Sequence, residues 1–210
     1  MFNFGKKIIN MRALLAVVAI AALVFGAWWV FFRDNSNNDA PKQEALKVDK
    51  HSGEFNKSVG AVITEYLNLK EAFVNADTAK IKIQEKRLVT TIDSIKIEEL
   101  KNDTSGIYES AKLIIGDIKS NANAISKETD ITEMRQGFRM ISENLFPLLK
   151  TIHYEGEKLY WQNCPMAFGD DKDGSWISNT KEIINPYLGK NHPEYKGTML
   201  HCGEIKDTLQ

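Results

Sequence analysis

From residue 54 onward the chain alternates apolar and polar positions with the period of a helix, four times over. Val59, Val62, Ile63, Tyr66, Leu67, Phe73 and Val74 recur at spacings of three and four, which puts them on one stripe of a helix of roughly five turns. A second stripe holds Ile81, Leu88, Ile92 and Ile95, although Ile83 and Val89 fall off it. Asp77 and Thr78 precede it and offer side-chain oxygens to the free N–H groups of a first turn. The third stripe is Ile107, Ala111, Ile114, Ile115, Ile118, Ala122 and Ile125, after the polar break at 102–106. The fourth is Ile131, Met134, Phe138, Ile141, Leu145 and Leu148, with Asp130 and Glu133 in the places of a variant capping box. Pro147 has no N–H to donate and is expected to end or bend this helix.

Four amphipathic helices joined by short polar breaks most simply bury their stripes against one another, so residues 54–152 are predicted to form an antiparallel four-helix bundle. None of them carries the E-x-x-H spacing of a di-iron or di-manganese bundle, and no chemistry is assigned to residues 54–150. The periodicity stops after His153. Gly169, Gly174, Gly189, Gly197 and Gly203, with Pro165, Pro186 and Pro193, cut residues 153–210 into an irregular, turn-rich extension. Only Leu159 and Trp161 alternate as a short strand would.

The pattern ahead of the bundle is different in kind. Residues 13–32, ALLAVVAIAALVFGAWWVFF, contain no charge and no proline, and twenty residues at about 1.5 Å each span the core of a bilayer. A cleaved signal peptide has a shorter apolar region ending at small residues, whereas this run ends in Trp28, Trp29, Phe31 and Phe32, which suit the water–lipid interface. The run is therefore expected to be one uncleaved transmembrane anchor. Lys6, Lys7 and Arg12 precede it, so residues 1–12 are expected in the cytoplasm and everything beyond the anchor in the periplasm. No cysteine lies near the run to carry a lipid. Residues 33–53 are polar and without sustained periodicity, the composition of a flexible linker, and His51 within it reads as solvated. Such a linker reaches about 25 Å and keeps the folded part near the membrane.

The charge supports this division. The chain has 27 Lys and Arg against 28 Asp and Glu; four of the bases lie in the first 33 residues, which hold no acid, so the remainder carries 23 against 28. A mildly acidic body without a basic cluster has no electrostatic footprint for nucleic acid.

Both cysteines fall in the extension, each with a methionine nearby: Cys164-Pro165-Met166 and Met199-Leu200-His201-Cys202. Two thiolates and two thioethers would favour Cu(I) or Ag(I) over hard cations, and zinc fits less well because thioether is a poor ligand for it. His201 or His153 could add an imidazole. The same two cysteines in an oxidising compartment are equally the makings of a disulfide, with Met166 and Met199 as core gap-fillers. No C-x-x-C or C-x-x-C-H spacing points to electron transfer. The acidic run at 169–174 lacks the acidic first and twelfth ligands of a calcium loop and reads as an exposed turn. No nucleophile, base and orienting residue stand at recognisable spacing, so catalysis is not expected.

The run Tyr160, Cys164-Pro165-Met166-Ala167, Gly174, Trp176-Ile177-Ser178, Ile184-Asn185-Pro186-Tyr187, Gly189, Met199 and Cys202-Gly203 resembles a bacterial periplasmic domain family of unknown function, family 3347. In some relatives that domain is appended to the C-terminus of periplasmic adaptor subunits of copper and silver efflux pumps. The resemblance spans roughly residues 55–209 and implies a heavy-metal role; Cys164, Met166, Met199, Cys202 and His201 are the candidate ligands that the clustered soft donors and the adjacent imidazole offer. The stretch 190–196 looks longer than the family pattern and adds His192. The function expected is soft-metal binding for copper handling or efflux; the alternative is a non-enzymatic interaction module, stapled by a Cys164–Cys202 disulfide, that docks a partner through Trp161, Trp176 and Tyr187.

Overall fold

The computed structural model describes residues 50–103 and 106–209, together with Ala22 and Phe25, which are helical and exposed. The expected anchor at 13–32 otherwise lies outside the described residues, as do residues 1–12 and the linker up to residue 49. Among the described residues no helix is long and apolar enough to cross a membrane.

The folded part is mainly helical with a small antiparallel sheet. Its helices are α1 (Gly53–Val74), α2 (Thr78–Ile92), α3 (Ile107–Lys127) and α4 (Ile131–Thr151), with a 3-10 helix at Ile97–Asn102 between α2 and α3. Their buried faces are the predicted stripes: Val59, Val62, Ile63 and Tyr66 on α1, Ile81, Leu88 and Ile92 on α2, Ala111, Ile118 and Ala122 on α3, and Met134, Phe138, Ile141 and Leu145 on α4. Asp77 caps α2 by accepting from Lys80 N at 2.9 Å, and Asp130 caps α4 by accepting from Thr132 N at 2.6 Å. On α2 the off-stripe Ile83 is 54% exposed. Helices α1 and α4 run antiparallel, because Phe73 and Tyr66 both stack near Phe138 while His51 meets Ile152.

Three expectations are corrected. Helix α4 continues through Pro147 to Thr151; the proline sits on the exposed side, and burial of Leu145, Phe146, Leu148 and Leu149 around it outweighs one lost backbone bond. His51 is not solvated. It is 7% exposed, with Nε2 2.7 Å from the carbonyl of Ile152 and its ring against Phe55. Ser52 beside it caps α1, accepting from Phe55 N at 3.1 Å, and donates its own N–H and hydroxyl to Glu99. Those two hydrogen bonds hold the Glu99 carboxyl below its ordinary range. The polar composition that reads as linker is here satisfied by partners about a hundred and about fifty positions away, which local sequence cannot show.

The third correction concerns the extension, which is not irregular throughout. It forms strands β1 (Leu159–Cys164), β2 (Gly174–Ser178) and β3 (Glu204–Leu209), ordered β2-β1-β3 with both pairings antiparallel. Every residue of β2 is buried, so no alternation marks it, and β3 is a polar, largely exposed edge strand. The sheet is tied to the bundle by side chains. The phenol of Tyr66 accepts the N–H of Ile177 at 3.0 Å, and the buried Lys70 ammonium donates to Ser178 Oγ at 3.3 Å. Burial lowers the Lys70 pKa, against the nearby Glu71 carboxylate.

Candidate functional site

Cys164 ends β1 and Cys202 stands two residues before β3. Because Asn163 of β1 pairs with Glu204 of β3, the two cysteines meet at one end of the sheet. Their Cα atoms are 5.6 Å apart and their sulfurs are joined in a disulfide that closes a 38-residue separation. Gly203 makes the turn between Cys202 and β3 with φ 143°, and a Cβ there would stand 2.9 Å from the carbonyl of Asn163.

The side chain of Asn185 anchors the surrounding loop. Asn185 Nδ2 donates to the Cys202 carbonyl at 2.9 Å, while its Oδ1 accepts from Tyr187 N and Leu188 N. The Asn-Pro-Tyr turn legible in the sequence is thus an Asx turn that anchors the second cysteine. Cys164 is fully buried, and Cys202 packs partly buried against the core.

The other expected ligands divide between the neighbourhood of the bridge and more distant places. Met199 precedes Cys202 by one turn, its carbonyl accepting from Cys202 N at 3.0 Å. Met166 lies in the turn after Cys164, and both methionines pack partly buried against the core. His201 is exposed, with Nδ1 2.8 Å from the carbonyl of Ile183. His153, in a left-handed conformation at the end of α4, lines a polar cleft with Lys50, Lys150 and Leu209, at the end of the sheet away from the cysteines. With both sulfurs in the disulfide, the donor set offers no thiolate in this state. His192 does not join the cysteines; it lines a separate cavity.

The aromatic docking surface is corrected for two of its three rings, Trp161 being partly exposed. Trp176 and Tyr187 are fully buried, and Trp161 stacks on Phe146 at 4.6 Å. Trp176 Nε1 donates to Gln162 Oε1 at 2.7 Å, and Tyr187 donates to the Ser175 carbonyl. These rings join the sheet to α4 through Phe138, 6.0 Å from Tyr187. The acidic turn at 169–173 is exposed, as expected, and Asp173 accepts from Asn163 Nδ2 at 2.8 Å.

Sequence reasoning missed a second feature. Arg135 of α4 is 2% exposed, and neither its Nε nor its Nη2 has a hydrogen-bond partner. Burial lowers its pKa, offset in part by Asp130. It lines a cavity of about 550 Å³ between the start of α4, the 167–169 turn and the 187–195 loop. The signal was available: Ile131, Arg135, Phe138 and Ser142 succeed each other at spacings of four and three, so a charge stands in an apolar stripe.

Bundle, small sheet and disulfide together define a stapled helical domain. Residues 62–156 match the profile of a family described as "Protein of unknown function (DUF3347)". The matched stretch covers most of the bundle and ends before both cysteines. Neither a curated protein nor a solved structure matches the chain.

Proposed function

We propose that this protein is a membrane-anchored periplasmic module without catalysis of its own, whose folded domain is held in its working form by the Cys164–Cys202 disulfide. The bridge is the observation that carries this reading. A disulfide between structural elements persists in an oxidising compartment, which agrees with the uncharged run at 13–32, the basic residues before it, and export of the chain beyond it. The domain hangs from the anchor through the polar segment up to residue 49 and acts on partners near the membrane.

A second reading, Cu(I) or Ag(I) capture for copper handling or efflux, is favoured by one specific observation. Reduction would leave two thiolates on backbone positions 5.6 Å apart, each with a methionine within three residues, and such a set is selective for soft ions. The metal is cargo in this reading, bound by Cys164 and Cys202 with Met166, Met199 and His201 beside them.

One experiment decides between them. Free thiols are counted on the purified full-length protein, and Cu(I) is then titrated without oxygen against a coloured chelator, before and after mild reduction. No free thiols, and no competition with the chelator after reduction, supports the stapled module. One-to-one binding that is lost in a Cys164→Ser, Cys202→Ser variant establishes soft-metal capture instead.

A further inference from the structure

Helices α1, α3 and α4 mix exposed acids with exposed bases, such as Glu54 with Lys57, Glu109 with Lys112 and Glu133 with Lys150. Helix α2 does not. Its charged residues are Lys80, Lys82, Lys86, Arg87 and Glu85, and the acid is the buried one. At 3.6 residues per turn the four bases fall within one arc of about 160°, with Ala79, Ile83 and Thr90 between them. This corrects the reading of the body as free of basic clusters, because bases scattered over 80–87 come to share one face once the helix forms.

The face is unpartnered. None of the four bases forms an ion pair with a described residue. The acids at the two ends of the helix are engaged elsewhere: Asp77 accepts from Lys80 N, and Asp93 pairs with Lys119 of α3. Lys80, Lys86 and Arg87 are exposed, Lys82 is half-buried, and Ile83 in their midst is 54% exposed. Lys82 and Lys86 stand four positions apart, a like-charge spacing that weakens a helix on its own. Neither that repulsion nor the exposed isoleucine serves the bundle, whose contacts with α2 lie on the other side, at Ile81, Leu88 and Ile92.

We propose that the α2 face docks on a bilayer surface carrying anionic phospholipid headgroups, with the four cations against the lipid phosphates and Ile83 entering the headgroup layer. Charge complementarity carries the choice of occupant. Each Lys or Arg close to an anionic leaflet adds attraction, and an apolar side chain among bases suits the interface. The body as a whole is net acidic, so an anionic surface attracts this face and repels the rest, which gives the docking one orientation. The inference deepens the proposed function and rests on its membrane-anchored reading, in which the tether holds the domain within about 25 Å of the bilayer.

The test uses the full-length protein reconstituted in vesicles of phosphatidylcholine alone and in vesicles with a third of the lipid replaced by phosphatidylglycerol. Surface lysines are acetylated with a membrane-impermeant reagent and read by mass spectrometry. Labelling of Lys80 and Lys86 is expected to fall at least about threefold in the anionic vesicles. It should recover in 1 M salt, where the screening length is about 3 Å, and Lys206 on β3 should be labelled equally throughout. The double variant Lys86→Gln, Arg87→Gln changes only exposed side chains, and with its fold checked by thermal unfolding it should restore Lys80 labelling in the anionic vesicles. Retention by the neutral vesicles reads the anchor, whereas the contrast between the two lipids reads the α2 face, so failure of the one is told from failure of the other. Equal labelling of Lys80 and Lys86 in both lipids overturns the proposal and turns the search to an acidic protein surface. A fall that persists in 1 M salt, that Lys206 shares, or that the double variant keeps overturns it as well.

Discussion

The phenol of Tyr66 on α1 stands 2.7 Å from the hydroxyl of Ser142 on α4, and the direction of the hydrogen bond between them is set by its neighbours. Ile177 N donates to the phenol, and Ser142 donates to the Phe138 carbonyl at 2.9 Å, so Tyr66 must donate to Ser142. The chain of donors runs from a strand of the sheet through one helix into another, entirely within the core. Burial raises the Tyr66 pKa, so the phenol keeps its proton.

Replacing Tyr66 by Phe keeps the ring and removes both hydrogen bonds, leaving the Ile177 amide buried without an acceptor. The expected cost is about 1–3 kcal/mol. A lower urea midpoint with an unchanged denaturant slope checks this; a stability equal to wild type would mean that the sheet docks by apolar contact alone.

Removing the disulfide should destabilise the C-terminal part before the bundle. Chain entropy for a 38-residue closure gives up to about 4 kcal/mol. Hydrogen exchange on the double Cys→Ser variant should show β3 and the Asn185 turn losing protection while α1 to α4 keep theirs. Uniform loss across the domain would show that sheet and bundle unfold as one unit.

Glu85 of α2 is 1% exposed, its Oε2 has no partner, and burial lifts its carboxyl above the ordinary range. The folded protein holds this proton at pH values where the unfolded chain releases it. The resulting stability is fully present below the unfolded value of about 4.3 and is lost as pH rises through the folded one. Glu85→Gln should be more stable than wild type at neutral pH and should flatten this part of the pH profile. Urea midpoints across the acidic to neutral range measure it; a variant weaker than wild type at neutral pH would show that the charged form is compensated.

Gly189 lies where the extension crosses the end of α1. A Cβ there would stand 2.3 Å from the carbonyl of Val74, the same carbonyl that accepts Lys190 N at 2.8 Å. Gly189→Ala must push the two backbones apart, and a loss of about 1–3 kcal/mol is expected from such overpacking. Thermal unfolding of the variant checks it, and an unchanged midpoint would show that the loop moves freely there.

Much of this architecture was legible in the residues. Apart from Ile95, which lies beyond the end of α2, the four helical stripes fall on the core-facing sides of α1 to α4, and Asp77 and Asp130 cap where their positions indicated, because periodicity and capping act within a few residues of each other. The Asn185 turn was legible for the same reason. Strand β2 was not, since a strand buried on both faces shows no alternation, and β3 was not, since a polar edge strand resembles a loop. His51 and Ser52 were misread because their partners, Ile152 and Glu99, are remote in sequence.

The candidate chemistry divides along the same line. The sequence by itself determined that two cysteines and two methionines share the extension. Only the tertiary structure decided that Cys164 and Cys202 meet as a disulfide, that Trp176 and Tyr187 belong to the core, and that Arg135 is buried with its Nε and Nη2 unpaired. Local pattern selects the elements, whereas pairing and burial depend on which distant surfaces come together, and that is a property of the packed chain.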